Sequence, residues 1–207
     1  MAALHDITAT ITGRFAAIEQ NERSDDHSWE HCYEFFSGDP ADFDLASLHL
    51  GFYLASWGMY RGSTSIRRCD YLIHRPIVEV LLSREYKCLR GASLEALQRN
   101  IDRLWELVGK LKARKPNNLY PEDVTMTDAL VTKILMGTLG CTPAYDRFFV
   151  CGLKANGLAG SFSRKSFGTL LECCRQYELD FSVGNSDYPI MLKVDMFFHA
   201  VGRKKSE

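Results

Sequence analysis

The sequence predicts an all-α fold: one domain of about eight helices joined by short connections. Three observations lead there. Apolar residues recur at spacings of three and four along most of the chain, as in Leu94, Leu97, Ile101, Leu104, Val108 and Leu111. No segment has an obvious partner strand. The length, 207 residues, suits a single sizeable core. The one plausible boundary is the stretch Pro116–Asp123, which carries two prolines and two asparagines. It reads as a surface loop, over 112–126, inside a single domain spanning 1–207.

Each helix has its own signal. Leu4, Ile7, Ile11, Phe15 and Ile18 mark one face of the first, before the polar run Asn21–Asp26. Asp25 or Asp26 is placed to cap the second, whose apolar side is Trp29, Cys32, Tyr33 and Phe36 and whose stop is Gly38-Asp39-Pro40. The third, Phe43–Gly58, is apolar on most sides and is expected to be central. Tyr71–Leu82 suits either a helix with Pro76 in its first turn or a short strand; helix is favoured. Ser93 caps a long helix over Leu94–Leu111 whose basic end, Lys110–Lys115, complements the negative helix terminus. This helix and the third are expected to form much of the core. Thr127–Leu153 follows: an apolar helix pattern breaks at Gly137, Gly140, Cys141 and Pro143, then restarts behind Asp146. Ser163 starts a further helix with Phe167, Leu170, Leu171 and Cys174. The last begins near Pro189, carries Ile190, Val194, Phe197 and Val201, and is expected to end at Gly202 before a frayed Arg203–Lys205 tail.

Composition narrows the function classes. The net charge of −1 argues against a protein held to DNA by bulk positive charge. Seven cysteines, an odd number without a CxxC pair, argue for reduced thiols over a disulfide framework. The N-terminus lacks a secretory pattern and no apolar run approaches a membrane span, so a cytoplasmic location and no membrane partner are expected. No phosphate-binding glycine loop is present, and neither a metal nor a cofactor is expected. Oligomeric state is not encoded legibly.

Several short constellations carry chemistry. His27, Glu30 and His31 form HxxEH, a spacing that resembles the inverzincin metalloproteases and would imply a zinc held by the histidines with Glu30 as base. The plain alternative is a polar helix face. Arg68 and His74 resemble the Arg-x4–6-His pair of the all-helical HEPN ribonucleases, which would act on an RNA phosphate. The order helix, glycines, proline and helix-opening aspartate around Lys133 and Asp146 is loosely similar to the helix-hairpin-helix DNA glycosylases. That resemblance implies a catalytic aspartate at Asp146 and a Schiff-base lysine at Lys133. It departs from the family in the preceding hairpin, since Leu119–Asp128 contains no glycine. WGMYRGS and GTLGCTPAYDRFF together resemble a pair of motifs in uncharacterised bacterial proteins of similar size, a resemblance that implies no activity.

The functional expectation joins the two glycine-interrupted junctions. Trp57, Tyr60, Arg61, Tyr145 and Arg147 would bind a ligand, with Asp146 as base or orienter and Lys133 beside it. Arginine with aromatic rings suits a nucleotide or a nucleic-acid phosphate. The competing expectation is a helical interaction or scaffold protein in which Arg61 and Asp146 form a structural ion pair.

Overall fold

The computed structural model describes residues 6–113 and 124–206. The expected Pro116–Asp123 loop, Leu4 and the pair Arg114 and Lys115 at the basic helix end lie outside these. In chain order the helices are α1 (Ile7–Glu19), α2 (Asp26–Ser37), α3 (Phe43–Ser56), α4 (Arg75–Leu81), α5 (Leu94–Arg99), α6 (Ile101–Lys112), α7 (Asp128–Thr138), α8 (Arg147–Ala155), α9 (Arg164–Gln176), α10 (Glu178–Phe181) and α11 (Ile190–Ser206). Short 3-10 turns span Ser65–Arg68, Tyr71–His74 and Arg84–Leu89. Among the described residues there is no strand, and the chain is a single compact all-α domain.

Most helix starts follow their expected caps. The Ser93 hydroxyl accepts from the Ala96 amide, and Ser163 with Ser166 forms a capping box. Asp146 accepts from the amides of Phe148 and Phe149. Pro76 occupies the first turn of α4, as the helical reading of Tyr71–Leu82 required. At α2 the expectation fails. Asp25 holds the cap position without a side-chain bond, and Asp26 turns inward to Arg14 instead.

The centre of the fold is α7, the break after it, and α11. Every residue from Leu130 to Tyr145 is buried, as is every residue from Met191 to Phe198. Helices α2, α3 and α6 pack on α7, α1 crosses α11, and α9 covers α5 and α6. The expected contributors are present, since α5 and α6 bury Leu94, Leu97, Leu104, Leu107, Val108 and Leu111, but α7 and α11 add the centre. Helix α3 buries Ala46, Ser47, Leu50, Gly51, Tyr53 and Leu54 but turns Leu45, Leu48 and Phe52 to solvent. Its apolar circumference exceeds what its neighbours cover.

Two further expectations are revised. The segment Leu94–Leu111 is two helices, because the Asn100 side chain donates to the Ala96 carbonyl at 2.8 Å and its backbone leaves helical geometry to start α6. Gly202 does not end the last helix, which continues to Ser206. It is a packing residue: α8 and α11 form the most extensive helix pair, in backbone contact. A methyl on Gly152 would overlap the Phe198 carbonyl, and one on Gly202 would overlap the Phe148 carbonyl. The glycine signal was read as punctuation, while its physical cause lies on another helix.

This contact sets a stability contrast. Gly152→Ala should cost on the order of 3 kcal/mol, since neither backbone has room to yield. Gly109→Ala, on the open face of α6 with no heavy atom within 4 Å of the added carbon, should instead stabilise by ~0.5 kcal/mol. Urea unfolding of both variants measures the pair; equal effects would contradict the packing role.

Candidate functional site

A helix break buried on all sides must satisfy its backbone polar groups without water. The junction Leu139–Asp146 does so with side chains from elsewhere. The Ala144 amide donates to Asp195 Oδ1 of α11 at 2.8 Å, and the Tyr145 amide donates to Thr132 Oγ1 at 2.9 Å. Thr142 donates its hydroxyl to the Thr132 carbonyl, Trp29 donates to the Met136 carbonyl, and Tyr53 donates to the Lys133 carbonyl. Gly140 takes a positive φ of 62°, packed where a side chain would meet Pro189 and Tyr33.

At the outer end of this junction lies a charged cluster. The Lys133 ammonium, with a side chain only 9% exposed, donates to the Trp57 carbonyl at 2.8 Å and lies 4.0 Å from Asp146 Oδ2. His199 Nε2 of α11 lies 3.9 Å from the same oxygen. The chemistry of helix ends explains the layout. Lysine sits at the carbonyl end of α3 and aspartate at the amide end of α8, each complementing the local partial charge. Burial lowers the Lys133 pKa, opposed by Asp146 and Asp195 and reinforced by Arg61. Burial also lowers that of His199, with Asp146 opposing and Arg14, Lys133 and Arg203 reinforcing. Asp195 is raised to about 8 by burial, then by the Asp146 charge.

The anticipated site residues divide. Trp57, Lys133 and Asp146 come together, with the Lys133 ammonium 5.8 Å from the centre of the Trp57 indole ring. Arg61 is exposed and folds back to donate to the Ser56 carbonyl at 3.3 Å; no ion pair joins it to Asp146 among the described residues. Tyr60 turns away, its hydroxyl 2.7 Å from His74 Nε2. Tyr145 enters the core against Phe149 and Phe162. Arg147 lies on the outside of α8 over the Phe148 ring. Of the expected group, Tyr60, Tyr145 and Arg147 therefore lie apart from the cluster. His199 joins the cluster unanticipated, although Asp195 and His199, four apart on one helix, share a face.

The other motifs have structural surroundings. His74 is fully buried and pushed down to about 4 by that burial, while Arg68 is exposed. His27 pairs with Glu30 at 2.7 Å, Glu30 also accepts from the Tyr188 hydroxyl, and His31 is exposed. Among the described residues no group of three or more His, Cys, Asp or Glu side chains could hold a metal ion. Likewise, no helix there is long and apolar enough to cross a membrane. No cysteine is in a disulfide among the described residues, and burial pushes the thiols of Cys32, Cys141 and Cys174 upward, away from the thiolate form. No family model, curated protein or solved structure matches the chain.

Asp195 makes the junction's stability depend on pH. Its folded pKa of about 8 lies above the ordinary 3.8, so the folded state holds a proton that the unfolded state releases. Its contribution is complete below about pH 4 and is lost as pH rises through about 8. Asp195→Asn, which keeps the acceptor for Ala144, should gain stability relative to the parent protein over that window. Parallel denaturation curves across pH 4–9 should diverge; a constant difference would contradict a protonated Asp195.

Proposed function

We propose that the protein binds the phosphate of a nucleotide or of a nucleic-acid end beside the cluster formed by the C-terminal end of α3, Lys133 of α7, the start of α8 and His199 of α11. The observation that carries this reading is an exposed arginine, Arg61, bonded to the Ser56 carbonyl next in sequence to Trp57, with the Lys133 ammonium 5.8 Å from the centre of the Trp57 ring. Lys133 and His199 flank Asp146, and Arg61, Arg14 and Arg203 all act electrostatically on that pair. Arg14 is already engaged by Asp26 at 2.5 Å, so Arg61 is the better phosphate ligand. It is exposed beside Trp57, and its guanidinium bond to Ser56 leaves further N–H groups for an oxyanion. The indole of Trp57 is only partly buried and offers aromatic surface to a base. In this reading Lys133 and Asp146 hold the site in shape, and binding rather than bond cleavage is the activity.

A second reading has its own supporting observation. Lys133 bonds the carbonyl end of α3 and Asp146 bonds the amide end of α8, so the cluster also fits an ionic clasp in a helical scaffold protein. The two readings separate at Arg61, which the clasp does not use. Anisotropy titration of a fluorescent, terminally phosphorylated oligonucleotide, with AMP as competitor, should show binding that weakens with salt. Arg61→Ala should reduce that affinity about tenfold with the melting temperature unchanged. Absence of binding by the parent protein, or binding indifferent to Arg61→Ala, would leave the clasp as the account.

A further inference from the structure

A second feature lies on the other side of α11, away from the clasp. Lys193 is 3% exposed, yet among the described residues its ammonium has no carboxylate and no hydrogen-bond acceptor. The stem of Lys193 is buried while its Nζ keeps access to solvent through a cleft, so the ammonium has room there for a counter-ion that the described residues do not supply. Burial accordingly lowers its pKa. The position points to a partner supplied from outside the chain.

The lysine lines a cleft of about 370 Å³ formed by α2, the turn before α5, α10 and the segment leading into α11. That volume falls in the range of small-molecule sites. Two carboxylates, Glu178 and Asp187, line the same cleft. Both residues are exposed, and neither side chain has an ion-pair partner among the described residues. The remaining walls include Tyr33, Phe181 and Pro189. The cleft thus combines one recessed cation, two carboxylates nearer solvent and apolar surface. A simple anion is disfavoured by the carboxylates, and a simple cation by the lysine.

We propose that this cleft binds a free α-amino acid with an apolar side chain. Its carboxylate pairs with Lys193, its ammonium with Glu178 and Asp187, and its side chain lies on Tyr33, Phe181 and Pro189. Both charges of the ligand are then needed, and the otherwise uncompensated lysine gains the counter-ion it lacks.

Calorimetric titration with L-leucine tests this, alongside 4-methylpentanoate, which lacks the amine, and isopentylamine, which lacks the acid. Leucine should bind, and each truncated compound should bind at least about tenfold more weakly. Lys193→Met should abolish leucine binding. Glu178→Gln combined with Asp187→Asn, both at exposed positions, should reduce leucine affinity to that of 4-methylpentanoate. This rim variant keeps the test decisive if the Lys193 variant fails to fold. No binding of leucine by the parent protein, equal binding of all three compounds, or an unaltered affinity in the rim variant would overturn the proposal.

Discussion

The structure depends on burying a broken helix. From Leu130 to Tyr145 the chain is buried although it is not helical beyond Thr138. Backbone amides and carbonyls cannot be left unpaired there, at a cost of about 1–3 kcal/mol for each one orphaned. The rest of the molecule supplies the partners. Asp195 comes from α11, Thr132 from the preceding helix, Trp29 from α2 and Tyr53 from α3. Gly91, before α5, donates its amide to the Leu139 carbonyl at 2.8 Å. Four separate segments, α2, α3, α11 and the turn before α5, are thereby tied to one short stretch.

The charges follow from the same constraint. Ending α7 inside the core and starting α8 at its edge puts Asp146 where it caps one helix and faces Lys133. Ending α3 beside them gives Lys133 a carbonyl to hold. The acid on α11 that serves the Ala144 amide shares its helix face with His199, which reaches Asp146 one turn later. A polar cluster is therefore required here by backbone chemistry before any ligand is considered. What backbone chemistry does not require is Arg61 beside Trp57, or the lysine at 193. Those residues carry the functional proposals because Arg61 is exposed with N–H groups to spare beyond its bond to Ser56, and Lys193 faces a cleft without a carboxylate bonded to it.

Much of the architecture was legible locally. The periodicities, and the caps at Ser93, Asp146 and Ser163, act within a few residues, so they can be read from neighbouring letters. Most of the misreadings are non-local, the break at Asn100 being the exception. Gly202 looked like a terminator because its reason for being glycine is the Phe148 carbonyl on α8. Helix α3 looked central because the pattern counts apolar residues and cannot say how many its neighbours will cover. At the site, Lys133, Asp146 and Trp57 were found through motif shape. Tyr60, Tyr145 and Arg147 were expected beside them because adjacency in sequence was taken for adjacency in space. His199 and Lys193 carried no local signal: a histidine and a lysine on the last helix stand out only once their surroundings are known.

The most direct test of the buried junction is native-state hydrogen exchange at the Ala144 and Tyr145 amides. If side chains satisfy them as described, both should exchange only through global unfolding, at the protection of the Leu135 amide within α7. Thr132→Val should then release Tyr145 selectively. Exchange of Ala144 and Tyr145 at the rate of exposed loop amides in the parent protein would contradict the account.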